Sequence, residues 1–163
     1  MEWMILPLKR YADFSGRSRR MEFWMFQVFN LLVYGVLMAL SFAGFPWADF
    51  GSSPQAGATE LENAAEAFSM FGPLFWVGAV LIVFWVLGTF IPALAVTVRR
   101  LHDRGLSGWW YAGLLIAGFV PVVNIIAMLG YLVLFVVLLL PSEPGANKWG
   151  DNPKDPGQAS VFE

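Results

Sequence analysis

The side chains able to do chemistry in this 163-residue chain are gathered mainly in three short polar islands. The densest is Arg99-Arg100-Leu101-His102-Asp103-Arg104-Gly105-Leu106-Ser107-Gly108-Trp109-Trp110, which holds the one histidine. Two chemistries fit it. Arginine offers a planar fork of donors that matches phosphate and carboxylate, so Arg99 and Arg100 suit an anion. His102, supported by Asp103 or Asp13, suits acid–base work. Adjacent helical residues point about 100° apart, so His102 and Asp103 are not a dyad by themselves. Arg99 and Asp103, four apart, can pair if the preceding helix reaches Arg104. Basic groups at a helix C-terminus also interact well with its dipole, and that role outranks catalysis. The chain is therefore expected not to be an enzyme. With no cysteine and one histidine, thiolate chemistry is excluded, transition-metal options are few and no cofactor is expected.

The first island precedes the first long apolar run. Trp3, Ile5, Leu6 and Leu8 form an amphipathic start suited to a membrane interface, with Lys9, Arg10, Arg17, Arg19 and Arg20 toward lipid phosphates. Asp13 to Arg17 reads as a turn, after which Ser18 is placed to cap a helix. Cations at a helix N-terminus oppose its dipole. Either the positive-inside rule places Arg17 and Arg20 there, or they pair with acids or an anion. The third island, Pro144 to Pro153, is turn-dense yet carries Trp149, which suggests docking on the membrane surface or on the other polar segments.

The elements that position these islands are membrane spans. Only 13% of residues are charged, against about a quarter in soluble domains. No Lys or Arg lies between Arg20 and Arg99, or between Arg104 and Lys148. The expected architecture is one all-α integral-membrane domain, a small helical bundle of three long spans. Residues 1–22 form a cytoplasmic basic segment, 23–45 span one, 46–73 an outer acidic loop, 74–98 span two and 99–108 a cytoplasmic turn. An apolar run follows at 109–140 and a polar tail at 141–163.

Trp24 and Trp47 mark the ends of span one, and Gln27, Asn30 and Tyr34 share a face suited to interhelical hydrogen bonds. In the acidic loop, residues 51–57 read as flexible. Thr59 and Glu62 form a capping box, opening a short helix with Leu61, Ala65 and Phe68 on its apolar side. Gly88 and Pro92 predict a kink near Thr89. Gly105 suits a left-handed helix end with Leu106 against Leu101, and Ser107 caps the next helix. Spans two and three are expected to be antiparallel neighbours.

Residues 109–140 would make a straight helix of about 48 Å, too long for a core of about 30 Å. Pro121 and Asn124 interrupt it. Either the run splits into a hairpin, giving four membrane segments and a cytoplasmic C-terminus, or it is one kinked span with the tail outside. The last dozen residues are expected to be mobile.

Three stretches together resemble a known family: Tyr11 to Trp24, Arg99 to Trp110, and Gly145 to Pro153. They look like YhaH-type bacterial inner-membrane proteins, domain of unknown function 805. The resemblance covers nearly the whole chain. It implies several membrane helices in the bacterial inner membrane and carries no activity; the loop at 46–73 is long for that family. With a hairpin, Arg17, Arg20, Glu22, Arg99, Arg100, His102, Asp103, Asn147 and Asp151 converge at the headgroup level, with Ser107 beside them. The first expectation is a binding or accessory protein whose cluster holds an anionic lipid headgroup, a small anion or a partner, unless the ion pairs merely lock helix ends. The alternative is a transporter or channel component, although no carboxylate lies in any span. Expected partners are membrane lipids, another membrane protein or a second copy. Nucleic acid is not expected, because the basic islands form no extended groove.

Overall fold

The computed structural model describes residues 2–48, 51 and 59–154. Asp49, most of the stretch at 51–57 and nearly all of the last dozen residues lie outside them. Six helices and no strand are found among the described residues: α1 (Glu2–Lys9), α2 (Arg20–Ala43), α3 (Glu60–Met70), α4 (Pro73–His102), α5 (Trp109–Gly118) and α6 (Val123–Leu139). Of these, α2 and α4 are long and apolar enough to cross a membrane. The last four residues of α4, from Arg99, lie beyond its apolar run. Contacts divide the chain into two compact units, one of residues 1–29 and 89–163, the other of residues 30–88.

The second unit is small and aromatic. Asn30 Oδ1 accepts a hydrogen bond from Trp85 Nε1 at 3.1 Å, so one member of the expected polar stripe does bond across helices. Gly78 and Gly44 let backbones approach closely: a Cβ on Gly78 would stand 2.2 Å from Ser41 Oγ, the role small residues play between membrane helices. Helix α3 opens with the expected capping box, Thr59 with Glu62. Its apolar side faces outward. Leu61 and Ala65 are exposed, and only Phe68 packs, stacked on Trp76 with centroids 3.9 Å apart. With eleven residues and none buried, α3 is held largely by its cap and that one ring.

In the first unit, Phe23, Phe26, Val96, Leu101, Leu134 and Leu138 form the buried core. Ile125, Leu129, Val133 and Val136 on α6 are each more than half exposed, a density of outward apolar surface suited to lipid rather than water. Pro92 lies inside α4 without ending it. The run at 109–140 breaks at residues 119–122, where Val122 takes φ +72°, and α5 packs against α6. The run is thus a helical hairpin. Its first arm, ten residues long, spans only about 15 Å.

At the end of α4 the chain turns as its residues predict. Gly105 has φ +70°, its N–H donates to His102 O at 3.0 Å and Leu106 N–H donates to Leu101 O at 3.0 Å, the paired bonds of a Schellman turn. Two capping expectations are corrected. Helix α2 starts at Arg20, and the Ser18 hydroxyl donates to Arg19 O while its N–H donates to Arg99 O. The N-cap of α5 is Gly108 rather than Ser107, whose hydroxyl accepts only a long 3.4 Å bond from Trp109 N–H. In both cases the chain reaches the helix by packing on α4, which removes the need for a side-chain cap; a Cβ on Gly108 would stand 2.6 Å from Val98 Cγ1.

Candidate functional site

All three polar islands meet within the first unit. Arg17 is the hub, its side chain only 1% exposed. Its Nε donates to Asp103 Oδ1 at 3.0 Å. Nη1 donates to Gly145 O at 2.7 Å and Gly150 O at 3.3 Å, and Nη2 to Glu143 O at 2.6 Å. One guanidinium therefore ties the segment before α2 to the turn after α4 and to the tail. Each acceptor but one is a backbone carbonyl.

Asp103 also takes Arg100, through Oδ2 and Nη1, so both its oxygens serve buried arginines. Arg100 Nε donates to Leu138 O, and its Nη2 donates to Leu140 O. Arg20 donates to Leu139 O and Arg104 to Pro141 O. Helix α6 has no basic residue in its own last turn; Arg20 and Arg100 supply donors to the carbonyls that any helix end leaves unpaired, and Arg104 bonds the residue just past the cap.

Arg99 departs from the spacing-based expectation. It does not pair with Asp103 but donates to Glu22 Oε1 at 2.7 Å, with Asp13 Oδ2 3.7 Å from Nη1. Asp103 is already shared by Arg17 and Arg100, whereas Glu22, 3% exposed, needs a cation. Burial lowers the pKa of Arg99 and Arg100, while Glu22 and Asp103 respectively raise them. Hydrogen bonds from Ser15 and then Arg10 hold the Asp13 carboxyl well below the usual carboxylate range.

His102 stacks on Trp149, centroids 3.6 Å apart and planes within 4°, which gives the tail tryptophan its docking place. Its Nδ1 lies 3.2 Å from Gly16 O. Asn147 donates to His102 O at 3.0 Å and to Glu143 Oε2 at 3.1 Å. Ser107 shares a shallow cleft with His102, Trp109 and Trp149. Asp151 is exposed, makes no described side-chain hydrogen bond and does not join the cluster; the tail turns it outward at the bend after Gly150. No group of three His, Asp or Glu side chains is placed to hold a metal among the described residues.

Burial pushes the His102 pKa down, opposed by the Gly16 carbonyl. A base whose folded pKa is depressed is favoured neutral in the folded state. Its contribution is full above the unfolded value near 6.5 and is lost as pH falls through the folded pKa. A titration of the ring by ¹³C–¹H NMR on protein without a His tag, unambiguous with one histidine, is expected to give a midpoint below 6.5. A midpoint at or above 6.5 would contradict the burial of this ring.

Two further cations belong to this surface: Arg19, read from the sequence as facing lipid phosphates, and Lys154, which the sequence does not single out. Arg19 donates through Nε to Pro153 O and lies 5.6 Å from the Trp3 ring centroid. Lys154 shares with Arg19 and Arg20 the rim of a cavity of about 650 Å³, otherwise lined by Met21, Trp24 and Leu139.

Residues 11–151 match the family described as "Protein of unknown function (DUF805)". The chain is 32% identical to "Inner membrane protein YhaI" of Escherichia coli strain K12, over 94% of this chain and 97% of that one. It is 29% identical to "Inner membrane protein YhaH" of the same strain, over 94% and 98%. The similarity to "Uncharacterized protein YiiR" is 29% over 88% and 87%. No solved structure matches the chain.

Proposed function

Because the chain belongs to the DUF805 family, with relatives that are inner membrane proteins, we propose that it is an integral inner-membrane binding or accessory protein. Its cytoplasmic face recognises an anionic group. The observation that carries this is an unmatched charge. The ion pairs engage Arg10, Arg17, Arg99 and Arg100 with Asp13, Glu22 and Asp103. Arg19, Arg20, Arg104, Lys148 and Lys154 have no carboxylate within 4 Å among the described residues. The buried knot is the scaffold, and the recognising surface is drawn from among these outer cations.

All ten Lys and Arg residues lie outside 21–98 and 105–147, while residues 46–73 carry acids alone. That asymmetry supports a cytoplasmic N-terminus. The bonds from Arg17 to the tail support a C-terminus on the same side, with the α5–α6 hairpin entering and leaving by that face as the third and fourth membrane segments. A binding role is also favoured over catalysis: Asp103 is consumed by two arginines and His102 is engaged with Gly16 and Trp149. Membrane lipid is the expected partner.

A green fluorescent protein fused after Glu163 is expected to fluoresce in the producing bacterium. In lipid nanodiscs the protein is expected to melt at higher temperature with an anionic lipid than with a zwitterionic one, the difference shrinking with added salt. A dark but inserted fusion would overturn the orientation. Melting independent of lipid charge would overturn the anion role.

A further inference from the structure

We infer that the cavity rimmed by Arg19, Arg20 and Lys154 is a discrete site for one anionic phospholipid. Its phosphate sits among the three cations and an acyl chain runs over Met21, Trp24 and Leu139. This deepens, and rests on, the anion-binding reading, and it moves recognition away from the buried knot.

The lining divides by chemistry. Its three charged members are all cations, and none has a carboxylate partner among the described residues. Each keeps donors free: Arg19 uses only Nε, on Pro153 O, and Arg20 only Nη1, on Leu139 O. These bonds fix each guanidinium by one nitrogen and leave the rest of the fork available for phosphate oxygens. The remaining members are apolar, and Met21 and Leu139 are 55% and 46% exposed. Trp24 packs edge-on against Phe23 and Phe135, which gives the cavity a rigid wall at the depth where aromatic rings meet headgroups.

A free phosphate would use the cations and leave the apolar wall unoccupied. A phospholipid uses both, and the wall is formed by the last residue of α6 and by α2, a helix apolar enough to span the bilayer. The cavity of about 650 Å³ holds a headgroup and the first part of a chain, and it falls within the usual range of ligand sites. Lys154 comes from the tail that Arg17 clasps, so the site is complete only when the tail is docked.

The test is native mass spectrometry of the full chain released from nanodiscs of equal phosphatidylglycerol and phosphatidylcholine. Wild type is expected to retain one phosphatidylglycerol preferentially. Arg20→Gln and Lys154→Gln should each lower that preference about fivefold, the effect of one cation at an anionic surface. Lys148→Gln, a cation outside the cavity, should leave it unchanged, and melting temperature checks that every variant folds. Competition by millimolar inorganic phosphate should not displace the lipid.

Loss of preference in Lys148→Gln equal to that in Arg20→Gln would overturn the discrete site while leaving a diffuse anion-binding face. Displacement by inorganic phosphate would overturn the lipid assignment. Absence of any anionic preference in wild type would overturn the site, and the nanodisc melting comparison separates that from failure of the broader reading.

Discussion

Asp103→Ala is expected to destabilise the protein by about 3–5 kcal/mol, the range for removing one partner of a buried ion pair. The side chains of Arg17, Arg100 and Asp103 are each 1% exposed or less, so the carboxylate is the counter-charge shared by two desolvated guanidinium groups whose other acceptors are neutral carbonyls. Removing it leaves two cations uncompensated rather than one. The measurement is denaturant or thermal unfolding of the purified protein in one fixed detergent. Asp103→Asn separates charge from shape: the amide keeps the volume and an acceptor but not the negative charge, and it is expected to lose most of the same stability. A loss below about 0.5 kcal/mol, the range of ordinary surface changes, would mean that the arginines are compensated elsewhere.

Arg17→Lys is expected to release the tail at a cost of about 2–4 kcal/mol, although the charge is kept. Lysine is a single point of three rotatable donors. It cannot reach Asp103 from one side and the carbonyls of Glu143 and Gly145 from the other, as the planar fork does. Limited proteolysis read by mass spectrometry is the direct measurement. Cleavage between about residues 141 and 154 should rise thirtyfold or more, following the open population of the tail, while the hydrophobic segments stay intact. Wild-type protection in Arg17→Lys would show that the other tail contacts, the Trp149–His102 stack and the Asn147 and Arg19 bonds among them, hold the tail without the clasp.

What could be seen in the residues, and what could not, divides along the range of each interaction. The Gly105 turn and the Thr59–Glu62 box were legible because both ends of each motif lie within a few positions, where backbone geometry allows few alternatives. The interruption after α5 was legible because Pro121 and Asn124 fall in a run too long for one crossing, although both a hairpin and a kinked span fit that pattern. The partner of Arg99 was not. Spacing favoured Asp103, four residues on, whereas Glu22 lies 77 positions away and becomes available only when α2 packs against α4. Arg17 was marked as a candidate, but its hub role was hidden for a different reason. Its acceptors are mostly backbone carbonyls, which every residue possesses, so no side-chain pattern announces them. The sequence marks Arg19 as facing lipid phosphates, but its pairing with Lys154 at one rim was hidden likewise, since the two lie far apart in the chain and no spacing links them.

The bond from Arg17 to residues 143–150 also orders events during synthesis. A chain emerging from the ribosome makes Arg17 well before these carbonyls, so the clasp cannot close until residues 143–150 have been translated. Before that point Arg17 has Asp103 alone among these partners, and until α6 is made the carbonyls that Arg20 and Arg100 serve at its end do not exist either. A chain stopped short of the tail is therefore left with charged groups at its helix ends that nothing covers. Synthesis of residues 143–150 and closure of the polar knot become a single event, and a product stopped before them carries an exposed signature of being unfinished.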